Sequence, residues 1–215
     1  MKFFNKGLFF FRGYNQALFF ICLVLYVLVL PPSDLFEGTW MDTLVDALGI
    51  GSLMLGGFLR IWAVSHVGKC TRSRRLKARF LVTTGPYVYI RHPIYVGNFF
   101  IGSGMVILSE AFILLPVFLV LFTFQYRSIV AAEEEFLAAK FEGEFTRYAQ
   151  LVPKYMPRTV LSGLRLSFGR NFPLKELGTT WGVVVGGIFF EWIESPVHRH
   201  WILVLYHWLT GRMTL

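Results

Sequence analysis

Residues 94–126, IYVGNFFIGSGMVILSEAFILLPVFLVLFTFQY, are the stretch on which the fold turns. Glu110 is the single charge in it, and the run is too long for one membrane crossing, which takes about 20 residues. It breaks near Ser109-Glu110, with Pro116 beyond, so it reads as a helical hairpin. The tip carries no Lys or Arg while the flanks do, so both ends of the hairpin should return to the same, cytoplasmic side.

Upstream, two further apolar runs read as membrane helices, at about residues 15–30 and 43–64. Asp34, Glu37 and Asp42 lie between them without a basic residue. The loop after the second run holds Lys69, Arg72, Arg74, Arg75, Lys77 and Arg79 without an acidic one. The excess of Lys and Arg predicts a cytoplasmic N-terminus and a cytoplasmic basic loop. Lys2, Lys6 and Arg12 ahead of an apolar run resemble a secretory signal. No small-x-small cleavage site follows, only Pro31-Pro32, so the run is kept as the first membrane helix.

Composition agrees. Of 215 residues 55% are hydrophobic and 18% aromatic, with 23 Phe, above the usage of soluble domains. The net charge of +8 sits in loops between apolar runs, where it suits anionic lipid, and no nucleic-acid-reading motif accompanies it. Cys22 lies in an apolar run and Cys70 in the basic loop, so a disulfide framework is not expected.

Beyond the hairpin the pattern becomes amphipathic. Glu133, Leu137, Phe141, Phe145, Tyr148 and Val152 recur at steps of four and three and trace one helix face. Lys140, Glu144 and Arg147 fall elsewhere on the helix. The fourth membrane helix should therefore continue into the cytoplasm and end before Val152-Pro153 and Met156-Pro157. A basic linker follows, then apolar runs at 177–193 and 201–209, the second too short to span and suited to the interface. The expected fold is all-α, a polytopic membrane helix bundle of four core transmembrane helices plus one or two C-terminal apolar helices. Its parts are residues 1–79 (N-terminal helices and basic loop), 80–158 (core with the hairpin and amphipathic helix) and 159–215 (C-terminal membrane-associated extension).

The chemistry concentrates at residues 81–97, LVTTGPYVYIRHPIYVG. Pro93 disfavours helix at His92 and suits a first helical position, so the hairpin should begin there. Arg91 and His92 then stand at a helix N-terminus, where backbone N–H groups favour an anionic ligand group. Tyr87, Tyr89 and Tyr95 offer flat faces to a nucleobase. The same residues also serve as interfacial anchors and a simple cap, and the pattern leaves both readings open. A second cluster, Glu133-Glu134-Glu135, falls where the fourth helix leaves the membrane. Carboxylates in a row usually face water, yet Glu133 heads the apolar stripe and an inward carboxylate needs a partner.

Together, Arg91-His92-Pro93-x-Tyr95-x-Gly97, Glu133-Glu134-x-x-Leu137, Phe141, Tyr148 and Val152-Pro153-x-x-x-Pro157-Arg158 resemble the signature of isoprenylcysteine carboxyl methyltransferases and related phospholipid methyltransferases. The resemblance covers residues 80–158. It implies S-adenosyl-L-methionine as methyl donor in a cytoplasm-facing pocket, a lipophilic small-molecule or lipid acceptor arriving from the bilayer, and no metal. It implies donor contacts at Leu81, Val82, Tyr87, His92, Pro93, Tyr95, Glu133 and Glu134, with Arg79 in a neighbouring position of less typical residue type. Arg91, His92 and Glu133 become the candidate catalytic residues. Two departures stand out. Ile129 occupies the place of an acceptor-binding Arg, leaving Arg127 as the substrate-binding candidate, and the usual Phe-Gly is Phe141-Glu142, with Gly143 displaced by one.

Two patterns mimic other sites. Asp46-Ala-Leu-Gly49-Ile-Gly51 looks like a nucleotide-binding glycine loop, but no strand precedes it and its glycines suit helix packing. Glu191, Glu194 and His198 have helix-face spacing for a metal, but Pro196 interrupts them and no cysteine joins. The rival functions are an NADPH-dependent sterol-type membrane reductase, with a similar arginine, histidine and tyrosine arrangement, and a non-catalytic membrane scaffold or transporter subunit. The Glu133-Glu134 pair favours the methyltransferase.

Overall fold

The computed structural model describes residues 39–67 and 78–157, with residues 21–23, 168–169, 178, 182 and 185–187. Among these residues every regular element is helical. Helix α1 is Trp40–Val67, a short 3-10 turn is Gly85–Val88, α2 is Pro93–Leu108 and α3 is Leu114–Leu151. Helices α1 and α3 are long and apolar enough to cross a membrane. The 16-residue α2 rises only about 24 Å, short of a hydrocarbon core of about 30 Å. The expected helix at 15–30 and the C-terminal apolar runs lie almost entirely outside the described residues, as do the basic loop residues 68–77 and the triplet Glu191, Glu194 and His198.

The hairpin forms where the sequence breaks. Helix α2 ends at Leu108, Ser109 and Glu110 turn the chain, and α3 begins at Leu114. Glu110 takes a positive φ of 47° in that turn. Leu23 packs with Val106, Ala111 and Phe118 beside the turn.

Helices α1 and α2 lie antiparallel and nearly in backbone contact. A Cβ on Gly56 would stand 2.6 Å from the Gly97 carbonyl oxygen, and one on Gly104 would stand 2.8 Å from that of Gly49. The paired glycines are seven residues apart on each helix, so the small positions face the same seam every two turns. Ser52 adds polar glue, donating its hydroxyl to the Phe100 carbonyl at 2.7 Å. Of the two glycines in the loop-like pattern Gly49 belongs to this seam, whereas nothing lies near Gly51.

Helix α3 packs on α2 through aromatic side chains. Phe99 meets Phe118 and Phe122, Phe122 stacks on Tyr126 with centroids 4.0 Å apart, and Tyr126 meets Tyr95 edge-on at 5.0 Å. Ile129 and Val130 close this cluster and are fully buried. Past Ala132 the helix carries the predicted stripe. Phe145 and Val152 are buried, Glu133, Leu137, Phe141 and Tyr148 half-buried, and Lys140, Glu144 and Arg147 exposed. The helix is broken once, at Glu142, where φ is 34° and ψ is −117°.

Candidate functional site

The site forms where the start of α2, the extension of α3 and the segment after α3 converge. Gly85 opens it at φ +63°, and a Cβ there would run into the His66 ring, so both conformation and space require glycine. Pro86 is the second residue of the 3-10 turn, and its carbonyl accepts from the N–H groups of Tyr89 and Ile90, each at 3.1 Å. The chain then passes beside residues 153–154. Arg91 N–H donates to the Pro153 carbonyl at 2.9 Å and His92 N–H to that of Lys154 at 3.2 Å. Pro93 is the first residue of α2, with His92 preceding it as expected. The N–H groups of Arg91 and His92 are thus taken by the returning chain rather than turned towards an anion.

The side chains meet in two linked carboxylate clusters. Tyr95 donates its hydroxyl to Glu133 Oε2 at 2.7 Å, and His92 Nδ1 lies 3.9 Å from the same oxygen. Glu134 holds Arg91 Nη1 on Oε1 and Lys154 Nζ on Oε2, each at 2.8 Å, while His92 Nε2 stands 3.1 Å from Oε1. Burial alone would raise the Glu134 carboxyl. Hydrogen bonds from His92 and Lys154, with the fields of His92 and Arg91, more than offset it and bring the group down to about 2. The His92 ring stacks on Tyr95 at 5.7 Å and 17°, with the Tyr155 ring at 6.1 Å. Tyr87 is buried. Its carbonyl accepts from the Tyr148 hydroxyl at 2.8 Å, and burial, with Glu133 and Tyr148 adding to it, pushes its phenol well up. Arg91 Nε is buried without a hydrogen-bond partner.

Beside the cluster lies a cavity of about 560 Å³ walled by all three helices and roofed by residues 155–157. Trp62, Phe99, Phe122 and Tyr126 make it apolar, Tyr95 joins it to the polar cluster, and Arg127 stands on its wall. Behind Tyr126 runs a polar chain: Arg60 donates to Asn98 Oδ1, and Asn98 Nδ2 donates to the Tyr126 hydroxyl oxygen at 2.9 Å.

Of the residues singled out from sequence, Tyr87, Arg91, His92, Pro93, Tyr95, Glu133 and Glu134 converge. Leu81 and Val82 are half-buried and Arg79 exposed on the approach, and no hydrogen bond or ion pair among the described residues joins them to the cluster. Lys140 tethers this approach to α3 through the Ala78 carbonyl. Ile129, in the place of the family's Arg, lies in the aromatic core, and Arg127 is exposed at the cavity. Sequence reasoning passed over Lys154, Tyr155, Arg60 and Asn98. A single Arg inside the second apolar run was a readable signal, since an intramembrane charge needs a partner. Lys154 and Tyr155 act through a chain reversal that no local pattern encodes. Among the described residues no group of three His, Cys, Asp or Glu side chains is placed to hold a metal ion.

Fold and site together define a helical protein with membrane-length helices, in which a polar carboxylate–histidine cluster adjoins an apolar cavity. Residues 47–139 match the model of the isoprenylcysteine carboxyl methyltransferase (ICMT) family. The cobalt-zinc-cadmium resistance protein CzcN of Cupriavidus metallidurans is 33% identical over 59% of this chain and 55% of its own length. The nickel-cobalt-cadmium resistance protein NccN of Alcaligenes xylosoxydans xylosoxydans is 30% identical over 66% of this chain and 62% of its own. The protein-S-isoprenylcysteine O-methyltransferase of Schizosaccharomyces pombe is 35% identical over 50% and 48%. The chain thus spans roughly half to three-fifths of the length of these relatives. No solved structure matches it. Over residues 47–139 the chain is thus similar to the isoprenylcysteine carboxyl methyltransferase family.

Proposed function

We propose that the protein is a multi-pass membrane methyltransferase, taking S-adenosyl-L-methionine from the cytoplasm and methylating a lipophilic acceptor that enters from the bilayer. The observation that carries this reading is the junction at Tyr95, whose hydroxyl reaches the Glu133 carboxylate while its ring lines the apolar cavity. One reaction needs both environments: a polar pocket for a charged, water-soluble donor and a dry one for an apolar acceptor.

The residues present fit the donor. Arg91 offers a buried, unpartnered Nε–H to a carboxylate, and Glu133 offers an acceptor to an ammonium and a negative field to a sulfonium. Tyr87 and Tyr155 offer rings, and Pro93 fixes the turn that brings His92 and Tyr95 together. When bound, S-adenosylmethionine supplies a methyl carbon on a sulfonium, open to in-line displacement in which the C–S bond breaks as the new bond to the acceptor forms. The protein aligns the partners and excludes water. Glu133 and His92 orient the donor side, the Tyr95 and Tyr126 rings bound the meeting point, and Arg127 is the cation nearest an acceptor headgroup on the cavity wall. A carboxylate or thiolate acceptor reacts without a general base. The basic loop and the acidic connection before α1 support a cytoplasmic donor site.

Titration calorimetry in detergent tests the donor. S-Adenosylmethionine or its demethylated product should bind with a Kd of roughly micromolar or tighter, NADPH should not bind, and His92→Ala or Glu133→Ala should abolish binding in a monodisperse protein. Binding of NADPH in preference to the methyl donor would transfer the protein to the reductases.

A further inference from the structure

Arg60 is a charge within a membrane-length helix, and the groups it holds lead back to the cavity. The seam between α1 and α2 brings it there. A Cβ on Gly97 would stand 3.2 Å from the Arg60 nitrogen, so the backbones run close enough for the guanidinium to reach Asn98, the next residue of α2. An arginine only donates, so Asn98 turns its Oδ1 to Arg60 and has its amide N–H groups to give. One of them goes to the Tyr126 hydroxyl oxygen at 2.9 Å. Each of the three helices thus contributes one group, and the donor-only guanidinium fixes which way the amide points. Tyr126 is the member that faces the chemistry. Its ring stacks on Phe122 at 4.0 Å, meets Tyr95 edge-on at 5.0 Å and lines the cavity. Tyr95 in turn gives its hydroxyl to Glu133. The tied ring therefore stands between the apolar space and the carboxylate cluster. Polar contacts between membrane helices often serve only as glue, but this one ends on the ring that bounds the cavity.

We propose that Asn98, oriented by Arg60, is a positioning residue for methyl transfer: by holding the Tyr126 hydroxyl it fixes the ring against which the acceptor's reactive group stops, and so sets the alignment of the two reactants. This rests on the methyltransferase reading of the cavity and deepens it. In-line displacement tolerates little misplacement, and a shift of about 1 Å costs on the order of a hundredfold in rate. Phe122 holds the face of the Tyr126 ring and Tyr95 its edge, while the Asn98 bond fixes it along the direction of its hydroxyl. A loosened ring therefore costs turnover rather than donor affinity, since Asn98 bonds to Arg60 and Tyr126 and stands outside the cluster of Arg91, His92, Glu133 and Glu134.

The test uses the full chain in proteoliposomes, with a lipid extract of the native membranes as the acceptor source, diluted into synthetic phosphatidylcholine so that turnover and half-saturation are both read. Asn98→Leu should lower turnover at saturating extract by roughly tenfold or more, move the half-saturating fraction by less than about threefold, and leave S-adenosylhomocysteine binding as in wild type. Tyr126→Phe, which keeps the ring and deletes the oxygen, should fall as far, and the double variant no further. Asn98→Asp should restore most of the turnover, because its carboxylate accepts from Arg60 and from the Tyr126 O–H together. An Asn98→Leu protein that turns over like wild type per folded molecule, an Asn98→Asp protein as slow as Asn98→Leu, or additive losses in the double variant overturns the proposal and leaves the tie as helix glue. If Asn98→Leu does not fold, Tyr126→Phe and Asn98→Asp carry the same comparison. Absence of S-adenosylhomocysteine binding to wild type would sink the methyltransferase reading instead. Thermal unfolding then still decides the tie itself: each single variant should lower the midpoint, and the double variant should go no lower than the lower single.

Discussion

Glu142 sits where the family pattern has glycine, and its backbone shows why glycine belongs there. With φ at 34° and ψ at −117°, the residue occupies a region that an L side chain enters only at a cost of about 1–3 kcal/mol. Gly143, one place later, does not take a positive φ, so the permissive residue is out of register with the strained position. Glu142→Gly should therefore raise stability by about 1 kcal/mol, after the larger unfolded-state freedom of glycine is subtracted. Thermal unfolding in detergent should show the gain, and an unchanged or lower midpoint would mean that the Glu142 side chain compensates for its backbone. The departure was visible in the sequence; its conformational meaning was not, because a helical stripe continues across the break. The carboxylates divide the same way. The stripe placed Glu133 inward, which holds, but the more enclosed neighbour is Glu134, with a side chain 16% exposed against 33%. Neighbours on a helix differ by about 100°, and at this corner the chain after α3 folds back and covers the second direction too. Lys154 and Tyr155 supply that cover from a segment whose approach only the fold reveals.

Helix pairing in the first half of the site depends on missing side chains. Gly56 and Gly97 face one another so closely that a Cβ on Gly56 would meet backbone atoms, the Gly97 oxygen at 2.6 Å and the Ile101 nitrogen at 2.8 Å. Backbone cannot turn aside as a side chain can, so the helices would have to separate. Gly56→Ala should cost about 1–3 kcal/mol, whereas Gly51→Ala, with open space around it, should be neutral or favourable by helix propensity. Comparing the two midpoints in one detergent checks the seam, and equal effects would show that α1 and α2 do not meet there. Hydrophobicity and the Ser109-Glu110 break were enough to predict α2, the turn and α3, since these are local signals. The partner of Gly49 was not legible, because a glycine fits a seam equally well against any neighbour. Once the seam forms it also fixes the site: α1 brings Trp62 to the cavity and His66 under Gly85, so the turn carrying Tyr87 through His92 is set from below.

For the molecule as a whole, the helical class of the described residues followed from the long apolar runs, while the cavity did not, because its walls come from α1, α2, α3 and residues 155–157 and none of these is concave alone. That composite wall suits the amphiphilic acceptor proposed above. The cavity's polar edge is at Tyr95 and Arg127, where α3 passes from its apolar part to Glu133, so a substrate with its reactive group at headgroup depth would keep its tail among Phe99, Phe122 and Trp62. A soluble metabolite would bury little of the apolar wall they form, whereas an amphiphile buries its tail against that wall. Native membranes incubated with radiolabelled methyl donor and then extracted with organic solvent should yield label in the lipophilic fraction. Thr123 lines the same cavity from α3, and its side chain takes no part in the polar cluster. Thr123→Trp should fill part of the space and cut the extracted label by roughly tenfold or more, while S-adenosylhomocysteine binds as in wild type. Label found in protein would point to a lipid-modified polypeptide as the amphiphile. Label confined to water-soluble products, or a Thr123→Trp enzyme as active as wild type, would remove the cavity from the acceptor's path.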